Sequence, residues 1–117
     1  RNKAGNFVRP EMPNFAAAAE QANWNVPGFA ADLIDLQGPN TWPIVTPTFI
    51  LLPTNPAADR VDGSRNTMRF FDWAYRNGAD AARRLEYIPI PATVQDAVRE
   101  TWRQVRAPNG GALWPVA

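Results

Sequence analysis

The alternation of apolar and polar positions divides this chain into short helices joined by proline-rich connectors, with one apolar run that does not alternate. The stretch "FAAAAEQAN", residues 15 to 23, joins an alanine run to Asn14 in front of it. Alanine is the strongest helix former and asparagine a good N-cap, so a short helix is predicted there. "NVPGF" breaks it. "AADLIDL" reads equally as helix or strand, and "QGPNTWP" is a turn-rich connector. Next comes "WPIVTPTFILLP", residues 42 to 53, in which Ile44, Val45 and then Phe49-Ile50-Leu51-Leu52 are fenced by Pro43, Pro47 and Pro53. Residues 48–52 are predicted as a strand. A strand without alternation should be buried on both faces, as in the middle of a parallel sheet.

After the loop "NPAADRVDGSR", Ser64 is placed as the cap of a helix "RNTMRFFDWAYRN" that stops at Gly78 in the C′ position. Asp72 and Arg76 stand four apart on it, an ion-pair spacing. "ADAARRL", residues 79 to 85, makes a second short helix, with Asp80 near its start and Arg83 and Arg84 near its end, the order that suits the helix dipole. "EYIPIP" is extended, because proline disfavours helix in the residue before it. "ATVQDAVRETWRQVR" is the clearest helix: Val94, Val98, Trp102 and Val105 form one apolar stripe. Thr93 and Asp96 resemble a capping box without its usual Glu or Gln. "APNGGALWPVA" reads as a tail.

This pattern leaves a burial problem. One non-alternating strand needs neighbours on both edges and a layer on each face, and "DLIDL" and "EYIPI" cannot build that sheet. Unpaired, the strand's amides would template aggregation. The expectation is therefore that its partners lie in polypeptide beyond these 117 residues. The polar opening "RNKAGNFVRP", without an initiator methionine, likewise reads as the interior of a longer chain.

Composition narrows the function classes. Twelve prolines among 117 residues is about twice the usual share of roughly 5%. The net charge of +1 gives no attraction for nucleic acid or a membrane surface. There is no cysteine and no histidine, so disulfides, thiolate chemistry and histidine general-base chemistry are excluded. No run of about 20 apolar residues is present to span a membrane. The remaining candidates read as structural. Phe70, Phe71, Trp73 and Tyr75 could stack on bases or sugars but at helical spacing read as core. Arg83 and Arg84 read as a solvated helix end, and Arg99, Arg103 and Arg106, interleaved with Asp96 and Glu100, as a salt-laced face. Asp32 and Asp35, as a catalytic or metal pair, lack any histidine to complete a set.

"WPIVTPTFILLP" followed by "RFFDWAYRNGADAARRLEYIPIPATVQDAVRETW" resembles the C-terminal part of the periplasmic phosphate-binding proteins of bacterial high-affinity phosphate ABC import, and "NKAGNFVRPEMPNFAAAAEQANW" resembles the stretch before it. The resemblance implies an α/β, two-lobed type II periplasmic-binding fold, of which this chain supplies one central strand and several covering helices. It implies three segments: 1–41 as the end of the second lobe, 42–47 as the interlobe crossover, and 48–117 as the return segment completing the N-terminal lobe. Thr41, Trp42 and Pro43 are the implied hinge. The implied partners are inorganic phosphate, held through residues outside this chain, a membrane ABC permease and the rest of the parent polypeptide, without nucleic acid and without a cofactor. The implied location is periplasmic, and the implied role is transport, not catalysis. In the family the anion is held by amides, hydroxyls, one arginine and one carboxylate. The Ser-Gly-Thr segment that carries part of that set is not matched by Gly63-Ser64-Arg65, so no ligand, catalytic or metal residue is carried over. The competing readings are a free-standing helical interaction module, a binding protein for another oxyanion, and a hydrolase using Asp32 and Asp35, which lacks a nucleophile and base.

Overall fold

The computed structural model describes residues 1–115. Val116 and Ala117, the last positions of the 48–117 segment, lie outside the described residues. The chain forms two compact units, one of residues 1–49 with 86–91 and one of residues 50–85 with 92 onward.

In the first unit, α1 runs Met12–Gln21, three residues earlier than the alanine run predicts. Pro13 sits in its first turn, where a missing amide costs nothing. The N-cap is Glu11 in an extended conformation, so Asn14 is not the cap; its side chain donates instead to the Arg9 carbonyl at 2.8 Å. The helix ends at Ala22, and the Trp24 indole N–H donates to the Ala19 carbonyl at 2.8 Å, satisfying one acceptor that the helix end would otherwise leave open. Ala19, Ala22, Ala31 and Leu33 make a small core, with Trp24, Val26, Leu36 and Val45 packed against it. "NVPGF" becomes a single 3-10 turn, Pro27–Phe29, and "AADLIDL" is neither helix nor strand.

The second unit holds α2 (Val61–Asn77), α3 (Ala79–Arg84) and α4 (Ala92–Trp102). Ser64 does not cap α2. A 3-10 turn at Ala58–Arg60 runs into the helix, so Ser64 lies a full turn inside and is buried. Val61, Ser64, Met68, Phe71 and Tyr75 recur at three and four along α2 and define its inner face. Met68 is fully enclosed there, with Trp102, Val105 and Leu113 as the other buried members of the core. Phe70 and Trp73 fall off that stripe and are each 58% exposed, so the aromatic cluster divides between core and surface. Residues 106–115 are not a loose tail. An isolated antiparallel bridge joins Arg106 to Ala112, the Leu113 N–H donates to the Val105 carbonyl at 3.2 Å, and Leu113 fills the core.

Gly78 ends α2 as expected, but for a different reason. Its φ is −89°, so it is not a left-handed cap. A Cβ there would lie 2.6 Å from the Ala74 carbonyl oxygen, and the Gly78 N–H already donates to that oxygen at 2.7 Å. Gly78→Ala is therefore expected to cost about 1–3 kcal/mol through overpacking, in excess of any entropic gain of about 0.4–1 kcal/mol. A denaturant melt of this variant checks it.

The strand expected at 48–52 does not form in this chain. Residues 44–53 are irregular, and among the described residues the only ladder contact is the Arg106–Ala112 bridge. The physical reason is the absence of a partner, since a strand exists only through its ladder. Leu52 packs against the second unit's core, while Phe49, Ile50 and Leu51 are open to solvent, Leu51 at 94%.

Candidate functional site

The three residues singled out as a hinge converge on one hydrogen-bonded knot in the first unit. Thr41 is 1% exposed. Its hydroxyl donates to the Leu36 and Gly38 carbonyls, each at 3.0 Å. The Trp42 N–H donates to the Asn14 carbonyl at 3.0 Å, tying this segment to the first turn of α1. The Trp42 ring meets Phe15 edge-on, with centroids 6.2 Å apart. The Pro43 carbonyl accepts the Asp35 N–H at 2.9 Å. The turn leading in requires left-handed backbone: φ is +127° at Gly38 and +47° at Asp35. A Cβ on Gly38 would also press on the Thr41 methyl at 3.0 Å.

Asn2 completes the knot, and the periodicity of the sequence gives no hint of it. Its side-chain nitrogen donates to the carbonyls of Gly38, Pro39 and Thr41 at 3.1, 3.0 and 3.2 Å, and its side-chain oxygen accepts the Asn6 N–H at 2.9 Å. A polar residue in a polar opening carries no signal of contacts some 36 to 39 residues away.

The second unit holds an ionic and aromatic cluster. Asp72 accepts from Arg76 at 2.9 Å, the spacing expected on α2, and from Arg99 of α4 at 2.8 Å. Arg99 also reaches Asp96 at 2.9 Å and lies over the Tyr75 ring, 5.5 Å from its centroid. Asp96 thus pairs with Arg99, and Arg103, just past the end of α4, pairs with Glu100 at 2.8 Å, as predicted, whereas Arg106, counted with this face, lies beyond the helix in the bridge to Ala112. Tyr75 stacks on Trp102, and Trp114 meets Trp102 edge-on. The hydrogen bond to Asp72 pushes the Arg99 guanidinium further up, so it stays charged at every pH of interest. Burial pushes the Tyr75 hydroxyl up, with the Arg99 charge pulling the other way.

That shift sets a pH dependence. Unfolded tyrosine ionises near about 10, and Tyr75 in the fold ionises higher. Its contribution is complete below about pH 10 and is lost as pH rises through the folded value. Denaturant midpoints measured from about pH 9 to 11.5 should fall along that limb, and Tyr75→Phe should flatten it.

The other candidates are placed singly. Asp32 accepts the Ile34 N–H at 2.9 Å, and Asp35 occupies the left-handed turn. Among the described residues no three His, Cys, Asp or Glu groups gather as a metal site, and no buried side-chain N or O lacks a partner. Arg83 pairs with Asp80 at 3.0 Å. Among the described residues no helix is long and apolar enough to cross a membrane.

No family model matches the chain. The phosphate-binding protein PstS of Haemophilus influenzae is 40% identical over 104 residues, 88% of this chain and 30% of that protein. PstS of Pasteurella multocida is 35% identical over 116 residues, 97% of this chain and 33% of that protein. Over this stretch the chain belongs with the PstS phosphate-binding proteins. It spans about a third of the length of those relatives. A putative serine/threonine-protein kinase/receptor of Acanthamoeba polyphaga mimivirus is also similar, 30% identical over 100 residues, but the match takes in 6% of that protein, too little for its name to describe these residues. At 97% of the chain, the match to the Pasteurella protein takes in the apolar run and the three helices of the second unit.

Proposed function

We propose that this chain is a segment of an extracytoplasmic, periplasmic inorganic-phosphate-binding protein that delivers phosphate to a membrane ABC permease. The observation that carries the proposal is the 40% identity to PstS along 88% of the chain. On this reading the whole protein is an α/β, two-lobed type II binding protein without catalytic chemistry. Residues 1–41 end its second lobe, 42–47 cross between the lobes with Thr41, Trp42 and Pro43 as hinge, and 48–117 complete the N-terminal lobe. The boundary between the two compact units at Phe49 and Ile50 falls close to the 47/48 division, while residues 86–91, which this partition assigns to the N-terminal lobe, group with the first unit. The solvent-open Phe49, Ile50 and Leu51 support a return strand whose neighbours belong to the rest of the parent. Apolar side chains in such a run are otherwise costly to leave in water, at about 1.5–3 kcal/mol each.

Phosphate is held by residues outside this chain, so specificity is tested on the full-length parent. Calorimetric titration should give tight binding of phosphate and none of sulfate. Sulfate binding without phosphate binding would transfer the assignment to another oxyanion. No binding of either would remove the solute-binding reading.

A further inference from the structure

We propose that Asn2 is a positioning residue for the crossover: its carboxamide latches the turn at 38–41 and thereby fixes the direction in which the chain leaves Pro43. This rests on the reading of residues 42–47 as the interlobe crossover. Three carbonyl oxygens, those of Gly38, Pro39 and Thr41, lie within 3.2 Å of one amide nitrogen. That nitrogen has only two hydrogens, so the three acceptors share them. Without the donor the buried Thr41 carbonyl would lose its partner in a site where Asn2 is 5% and Thr41 1% exposed, while the Gly38 and Pro39 carbonyls lie nearer the surface. The Gly38 carbonyl also accepts the Thr41 hydroxyl and the Pro39 carbonyl the Asn6 amide, so Asn2 is the donor that joins all three acceptors at one point.

The latch is itself braced. The Asn2 N–H donates to the Asn6 carbonyl and the Gly5 N–H to the Asn2 carbonyl, each at 2.9 Å, closing residues 2–6 into a loop. The Asn2 side-chain oxygen takes the Asn6 N–H, and the Asn6 amide adds a second donor to the Pro39 carbonyl at 3.0 Å. From the latched turn two further bonds lead outward, Trp42 N–H to Asn14 and Asp35 N–H to Pro43. Everything up to Pro43 is therefore tied to α1 and to the opening segment. Beyond it, residues 44–47 form no helix or strand and carry the exposed Ile44. A hinge absorbs its rotation in a few residues next to a fixed base. Asn2 holds 38–43 as that base, so that Thr41, Trp42 and Pro43 anchor the hinge and the bending falls on residues 44–47.

The test uses the full-length parent, inorganic phosphate as probe, and hydrogen exchange as the direct readout. In Asn2→Ala the amides of Trp42 and Asp35 should exchange about tenfold faster or more, corresponding to about 1.4 kcal/mol of lost protection. Phosphate affinity should fall several-fold, and small-angle scattering should show altered lobe closure. Asn6→Ala, which removes one of the two donors at Pro39, should give a smaller rise at the same amides and keeps the test open if Asn2→Ala misfolds. Thr41→Ser, which keeps the hydroxyl, should leave exchange unchanged. Unchanged exchange at Trp42 in both asparagine variants overturns the latch. Faster exchange with unaltered phosphate affinity and closure overturns its role at the crossover. A wild-type parent that binds no phosphate overturns the phosphate-binding reading instead, and the exchange measurements still decide the latch.

Discussion

Replacing Trp102 with alanine is expected to cost about 3–5 kcal/mol, the range for deleting a large aromatic from a core that collapses only in part. The size of the effect follows from what the indole touches. It is 7% exposed, its ring is parallel to that of Tyr75 with centroids 6.1 Å apart, and Trp114 meets it edge-on at 4.8 Å. Removing it strips a packing partner from α2 and from the segment after Arg106 together. Since a domain of this kind carries only about 5–15 kcal/mol of net stability, the loss is a large share. The far-UV helical signal of Trp102→Ala, followed in denaturant, should show a midpoint well below wild type. Trp73→Ala, on the same unit but 58% exposed, should move it by no more than about 0.5 kcal/mol. Equal effects at the two positions would mean that the aromatic core has been drawn in the wrong place.

The contrast between Trp102 and Trp73 also marks what the sequence discloses. α4 was legible because Val94, Val98 and Trp102 repeat at the helical period and the pattern needs no distant partner, although the helix stops at Trp102 and Val105, read as the next member of the stripe, is buried from beyond its end. α3 and the Asp72–Arg76 pair were legible for the same local reason. The starts of α3 and α4 were legible too, but those of α1 and α2 were not: Asn14 and Ser64 are good cap residues by type, yet Pro13 and the 3-10 turn at Ala58–Arg60 start those helices earlier. The burial of Leu113 and the Asn2–Thr41 knot were hidden for a further reason. Both depend on a chain return that no periodicity encodes, a bridge from Arg106 to Ala112 in one case and a contact across some 39 residues in the other. Thr41 and Trp42 could be singled out only through the family resemblance.

The apolar run makes the sharpest test, because its expected cost depends on what surrounds it. Leu51 is 94% exposed in this chain, so Leu51→Asp should change the stability of the 117-residue polypeptide by no more than about 0.5 kcal/mol. In the full-length parent the same substitution should cost about 3–5 kcal/mol, the penalty of leaving a charge buried and unpaired. Ile50→Asp should behave alike, and that equality carries the information. Adjacent residues of a strand point to opposite faces, so a strand covered on one side only would tolerate one of the two substitutions. A strand inside a sheet with layers on both faces tolerates neither. Chemical denaturation of both variants, in the chain alone and in the parent, separates the cases. Intolerance of both in the parent alone places 48–52 at the centre of a sheet completed by the rest of the protein. Tolerance of one in the parent makes it a strand with a solvated face, and tolerance of both leaves the run without a sheet to enter.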